Sequence, residues 1–158
     1  MTEYDKTLDV IKKINAVHHK LIAHELPLID QLTTMILRSA APDQIELRQV
    51  RDLFVKLFTL LPAHLNREAK IVYPAILRQA DDRVPLGLVV EGVTDMLEEH
   101  DQILDLFRQL RQVTRNYRPG HEANPDIRLA FEKMAAIDQA ATELIRFEVD
   151  HAYAEFSA

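Results

Sequence analysis

Two His-x-x-x-Glu pairs, His64–Glu68 and His151–Glu155, are the first residues in this chain that invite a chemical reading. On a helix a spacing of four stacks both side chains on one face, so an imidazole and a carboxylate reach toward the same point. Each pair also falls on an apolar stripe of alternating three- and four-residue steps. The second segment of the chain reads Val50, Phe54, Leu57, Leu61, His64, Glu68, Ile71, Ala75; the last reads Ile127, Ala130, Met134, Ile137, Ala141, Leu144, Glu148, His151, Glu155. A third stripe, Val89, Val93, Met96, His100, Ile103, Phe107, Leu110, carries His100 at its centre.

The first segment offers two stripes, because His18 and His19 are adjacent. One runs Asn15, His19, Ile22, Leu26, Ile29, Thr33, Ile36, and the other Ile14, His18, Leu21, Glu25, Leu28, Leu32, Met35. Glu25 interrupts the second, which tips the choice of inward group toward His19. Glu148 is an additional carboxylate one turn before His151. It reads either as a partner for a ligating histidine or as an exposed residue where the stripe drifts from its face.

A single histidine on an apolar face is usually a hydrogen-bonded core residue. Four histidines and two glutamates on four such stripes are harder to reconcile with separate structural roles, since each would bear its own desolvation cost. A shared cation removes that cost. Imidazole suits iron, zinc and copper, and a carboxylate can bridge two cations through its two oxygens. Four imidazoles with two bridging carboxylates suit two iron ions and leave positions open for a small diatomic ligand. The spacing differs from the Glu-x-x-His of ferritin-like di-iron bundles.

The elements that must position these groups are helices. Breaks at Pro27, Ala41-Pro42-Asp43, Asp81 to Pro85, Arg118-Pro119-Gly120 and Asn124-Pro125-Asp126 leave segments near 7–40, 43–79, 86–116 and 126–156. Each is long enough to cross a small bundle. Helix starts are expected at Asp43, with Glu46 three residues on, and at Asp126 after Pro125. Only three glycines occur in 158 residues, and 47% of the chain is hydrophobic, which favours an all-α domain with one core. The expected architecture is an up-down-up-down four-helix bundle over residues 1–158, with its first helix kinked or split at Pro27.

The formal net charge of −6 and the scattered basic residues argue against nucleic acid or an anionic membrane as the main partner. With no cysteine, thiol and iron–sulfur ligation are excluded. No apolar run approaches membrane length and no signal-peptide pattern opens the chain, so the expected location is the cytoplasm. His24 and His121 lie off the stripes and are set aside as solvated.

These residues resemble the hemerythrin-like, or HHE cation-binding, family, and in particular the di-iron domain of repair-of-iron-centres proteins. The resemblance covers nearly the whole chain. It is carried by His18-His19-Lys20-Leu21-Ile22-Ala23-His24-Glu25-Leu26-Pro27, by His64-Leu65-Asn66-Arg67-Glu68 with Ile71-Val72-Tyr73-Pro74, by Glu98-Glu99-His100-Asp101, and by His151-Ala152-Tyr153-Ala154-Glu155. It implies His19, His64, His100 and His151 as iron ligands and Glu68 and Glu155 as bridges in an oxo- or hydroxo-bridged di-iron centre. The oxygen-carrying hemerythrins have two histidines on the third helix where this chain has His100 alone, so the resemblance points away from reversible oxygen transport.

The function implied is a non-haem di-iron protein that meets O2, NO or peroxide in oxidative or nitrosative stress, acting alone or as a homodimer, with a damaged iron protein as a client. An iron donor or store is the alternative, and a metal-free structural bundle is the reading from another class. Hydrolase and transferase motifs are absent from the sequence.

Overall fold

The computed structural model describes residues 1–39, 45–120 and 124–157. The helix start expected at Asp43, the Ala41-Pro42-Asp43 break and His121 lie outside them. Among the described residues all regular structure is helical: α1 Glu3–Lys20, α2 Leu26–Ser39, α3 Ile45–Arg67, α4 Tyr73–Ala80, α5 Leu86–Thr114 and α6 Pro125–Glu148. Three π-helical turns, Leu21–Glu25, Glu68–Val72 and Val149–Tyr153, continue α1 into α2, α3 into α4, and α6 into a short 3₁₀ turn, Ala154–Phe156. The result is four long arms, a four-helix bundle. Contacts of α1 with α4 and of α2 with α3 make the first two arms antiparallel, and α5 and α6 complete the bundle. No helix among the described residues is long and apolar enough to cross a membrane.

Local chemistry explains where the arms begin. Thr2 caps α1 in a reciprocal box with Asp5: the Asp5 amide donates to the Thr2 hydroxyl at 3.1 Å, and the Thr2 amide donates to the Asp5 carboxylate at 3.0 Å. Asn124 caps α6 by accepting from the Ile127 amide at 2.9 Å, and Pro125 takes the first helical position. The start therefore falls before Asp126, because the asparagine carboxamide does the capping.

The first arm is split, as expected, but the break precedes Pro27. Proline lacks an N–H, and its ring crowds the carbonyl four residues back. For Pro27 that carbonyl belongs to Ala23, and for Pro74 to Lys70, both in the middle of a π-turn. Each turn closes with a five-residue hydrogen bond instead, Leu26 N–H to Leu21 O and Tyr73 N–H to Glu68 O. A π-turn holds one more residue than an α-turn, so it rotates the chain beyond it relative to the chain before it.

The core follows that extra residue. In the first arm the buried side chains are Ile11, Ile14, His18 and Leu21, then Leu26, Ile29, Leu32, Thr33 and Ile36. The inward stripe thus starts on the line through His18 and finishes on the line through His19, joined by a five-residue step. In the second arm it passes from Glu68 to Tyr73 and Ile76, leaving Ile71 63% exposed. In the fourth it passes from Glu148 to Tyr153 and Phe156. In α5, uninterrupted by a π-turn, every residue of the sequence stripe from Val89 to Leu110 is buried.

Polar ties hold the arms in register. The Arg51 guanidinium on α3 donates to the Asp30 carboxylate at 2.7 Å and to the Thr33 hydroxyl at 2.8 Å on α2. In the same half of the bundle Asp138 on α6 accepts from Arg111 at 2.6 Å and from the Tyr117 hydroxyl at 2.8 Å, fastening the left-handed turn Arg115–Asn116–Tyr117 that ends α5.

Candidate metal centre

Five ionisable side chains from all four arms meet in the middle of the core: His18 of α1, His64 at the end of α3, Glu68 in the turn after it, His100 of α5 and Glu148 at the end of α6. Glu68 and Glu148 are both 0% exposed. Glu68 Oε1 lies 2.9 Å from His64 Nε2 and 3.7 Å from His18 Nε2, while its Oε2 lies 3.8 Å from His100 Nε2. Glu148 faces the same histidines from the other side, Oε1 at 3.2 Å from His18 Nε2 and Oε2 at 2.9 Å from His100 Nε2. One donor atom from each of His64, Glu68, His100 and Glu148 can be chosen so that all lie within 4.8 Å of one another.

The sequence reading and the structure agree on His64, Glu68 and His100 as inward groups and part on the other three. His19 is exposed and His18 takes the inward place, because the first arm before its π-turn follows the His18 line. His151 and Glu155 are exposed, the former with its ring 4.4 Å from that of Phe147. The π-turn Val149–Tyr153 carries both off the face on which Glu148 sits and turns Tyr153 inward in their stead. Glu148 is a full member of the cluster and not a residue at a drifting edge. The sequence signal for Glu148 and His18 was present, since both sit on apolar stripes; the signal for an extra residue in the first two arms was Pro27 and Pro74. His24, set aside as solvated, is exposed, its ring 6.1 Å from that of His19.

Electrostatics separates the two carboxylates. Burial opposes charge on Glu68, but its polar neighbours, His100 foremost, outweigh it and hold the carboxyl well below its usual range. Burial dominates at Glu148 and raises it, with the negative Glu68 adding to the rise. For His100 burial disfavours the cation, yet Glu148 and Glu68 overcome it and push the group up to about 9.

His64 has a partner on its outer side. Its Nδ1 lies 3.0 Å from the Glu99 carboxylate, which the Arg67 guanidinium also grips through both oxygens. Burial opposes the charge on Glu99, but Arg67 and His64 keep it below the usual carboxylate range, so Nδ1 supplies the hydrogen and Nε2 turns a lone pair inward. A hollow of about 370 Å³ opens beside Arg67, Met96 and Glu99. We expect Glu99→Ala to loosen the His64 ring and weaken metal affinity by roughly 10- to 100-fold, measured by competition with a chelator; unchanged affinity would count against this orienting role.

The donor set fits a transition metal. His64 Nε2 and Glu68 Oε1 are buried with no hydrogen-bond partner although they are 2.9 Å apart. Two neighbouring donors on one ion, each bonded at about 2.1 Å, sit about 3 Å apart. Three imidazoles and two carboxylates, with no sulfur, are the nitrogen and oxygen mixture that iron accepts.

Fold and donors together define a class: helical bundles that hold a cation between buried histidines and glutamates. The hemerythrin HHE cation-binding domain matches residues 10–155, and the chain belongs to that family. Among its relatives is the iron-sulfur cluster repair protein ScdA of Staphylococcus haemolyticus, 21% identical over 152 residues that cover 94% of this chain and 66% of that protein. The iron-sulfur cluster repair protein ScdA of Staphylococcus epidermidis is 18% identical over 141 residues, 88% of this chain and 62% of its own length. The chain thus spans a little under two thirds of the length of these relatives.

Proposed function

We propose that this chain is a non-haem di-iron protein that meets small oxidants or nitric oxide and serves the repair of iron centres. The observation that carries the dinuclear reading is the placement of the two carboxylates. Glu148 turns its two oxygens toward different imidazoles, His18 and His100, which is how a bridging carboxylate is disposed, and Glu68 faces His64 and His18 through one oxygen. The role for which the ScdA relatives are named, iron–sulfur cluster repair, supports the biological setting and a client iron protein as partner.

Bound iron supplies a redox couple and open coordination positions for O2, NO or peroxide. The chain's own part is to hold and shield. His18, His64 and His100 with Glu68 and Glu148 provide the donors, Glu99 and Arg67 orient the His64 ring, and Leu21, Leu61, Tyr73 and Ile103 belong to the buried shell that keeps bulk water out.

The test is metal content per chain with the near-ultraviolet and visible spectrum after aerobic iron loading. About two irons and oxygen-to-iron charge-transfer absorption are expected; no uptake on reconstitution would overturn the proposal. The same titration has a pH signature. In the metal-free chain His100 holds its proton until about pH 9, and a ligand must be neutral. Metal uptake at neutral pH therefore releases a proton, and affinity rises with pH until about 9. Calorimetry in buffers of different ionisation enthalpy reads this directly, and a pH-independent affinity would contradict it.

A further inference from the structure

We infer that Tyr153, assisted by Tyr73, is a positioning residue that decides which oxygen of Glu68 is offered to a cation. Both rings are within 1% of complete burial. Both hydroxyls donate to the same atom, Oε2 of Glu68, Tyr73 at 3.2 Å and Tyr153 in a closer contact. A phenol carries its proton at neutral pH, so each hydroxyl is a donor to the carboxylate it meets. The rings are wedged among the histidines: Tyr73 is 6.0 Å from His18, Tyr153 is 5.9 Å from His100, and the two are 6.1 Å apart.

The consequence is an asymmetry between the two carboxylates. Oε2 of Glu68 is occupied by two phenols, and its Oε1 has no hydrogen-bond donor while it faces His64 and His18. Among the described residues no hydroxyl bonds Glu148; its two oxygens face His18 and His100. Glu68 is thereby locked with one oxygen presented, whereas Glu148 presents both. A first cation goes to the preset oxygen beside His64. A second must share Oε2 with the phenols, so it binds more weakly.

This inference rests on the metal-binding reading, and the experiment separates the two. Cobalt(II) is titrated into the full chain and into Tyr153→Phe and Tyr73→Phe, with calorimetry, the cobalt d–d spectrum and far-ultraviolet circular dichroism. Wild type is expected to load in two unequal steps. Tyr153→Phe should lose roughly 10- to 100-fold in the first step, as for other groups that orient a ligand, with an altered d–d spectrum and unchanged helix content. Tyr73→Phe should shift the same way by less. Equal affinities and spectra across the three proteins, with cobalt bound, would overturn the positioning role alone. No cobalt uptake by wild type would overturn the metal-binding reading and this inference with it. With iron(III), a phenolate charge-transfer band present in wild type and lost in Tyr153→Phe would make Tyr153 a ligand and overturn the positioning role.

Discussion

His18→Ala is expected to abolish high-affinity metal binding, while His19→Ala, one residue away, leaves it intact. His18 is buried with Nε2 3.2 Å from Glu148 and 3.7 Å from Glu68, and its neighbour points to solvent. The same contrast holds at the other end of the site, where Glu148→Ala should lose metal and His151→Ala and Glu155→Ala should not. Removing a direct donor should exceed the 10- to 100-fold effect of an orienting group, so losses above about 100-fold in affinity are expected. His64→Ala and His100→Ala belong with His18→Ala, and each should keep much of its helix content, because a truncated imidazole removes no apolar contact on the scale of a core leucine. Chelator competition on the purified variants gives the affinities. Loss of metal in His19→Ala or Glu155→Ala with retention in His18→Ala and Glu148→Ala would mean that the holo site uses the other register.

Deleting one residue should have opposite consequences in two exposed places. Asp150 lies in the π-turn Val149–Tyr153, and removing it turns five residues per closure into the four of an ordinary helix. Residues on both sides then keep their faces, so Tyr153 and Phe156 remain inward. Folding should survive at a cost of no more than about 2 kcal/mol, within the range of ordinary point changes. Gln102 lies in α5, which has no extra residue to give up. Deleting it rotates everything beyond by about a quarter turn, taking Ile103, Phe107 and Leu110 off the core. Each of those side chains contributes about 1.5–3 kcal/mol of burial, so together they approach the net stability of about 5–15 kcal/mol typical of a domain. The α5 deletion should therefore fail to fold, as read by thermal unfolding and circular dichroism. Similar loss in both deletions would show that the extra residue is not a separable register device.

The α5 stripe shows how much of the fold was legible without coordinates. An unbroken 3.6-residue period placed His100 and each of its apolar neighbours on the buried face, and the second stripe is inward as far as His64 and Glu68. In the second and fourth arms the stripe departs from the core at the π-turn: Ile71 instead of Tyr73, His151 instead of Tyr153. In the first arm the error ran backward. The stripe chosen through His19 is the one the core follows after Leu26, extended N-terminally across a turn where the register changes.

Composition, periodicity and desolvation cost are properties of single segments. They suffice to give four helical arms, each with an ionisable group on an apolar face, and to bring imidazoles and carboxylates to one buried place. Which histidine and which glutamate face the cluster depends on contacts between arms. A π-turn adds one residue to a helix and rotates the chain beyond it by about a quarter of a revolution, and whether that turn forms depends on what the rotated side chains find. Proline at 27 and 74 frees the helix from its ordinary hydrogen bond. For Val149–Tyr153 no proline does so, and burial of Tyr153 against Glu68 from another arm accompanies the shifted register. That contact joins residues 85 positions apart, beyond the reach of any pattern within one helix.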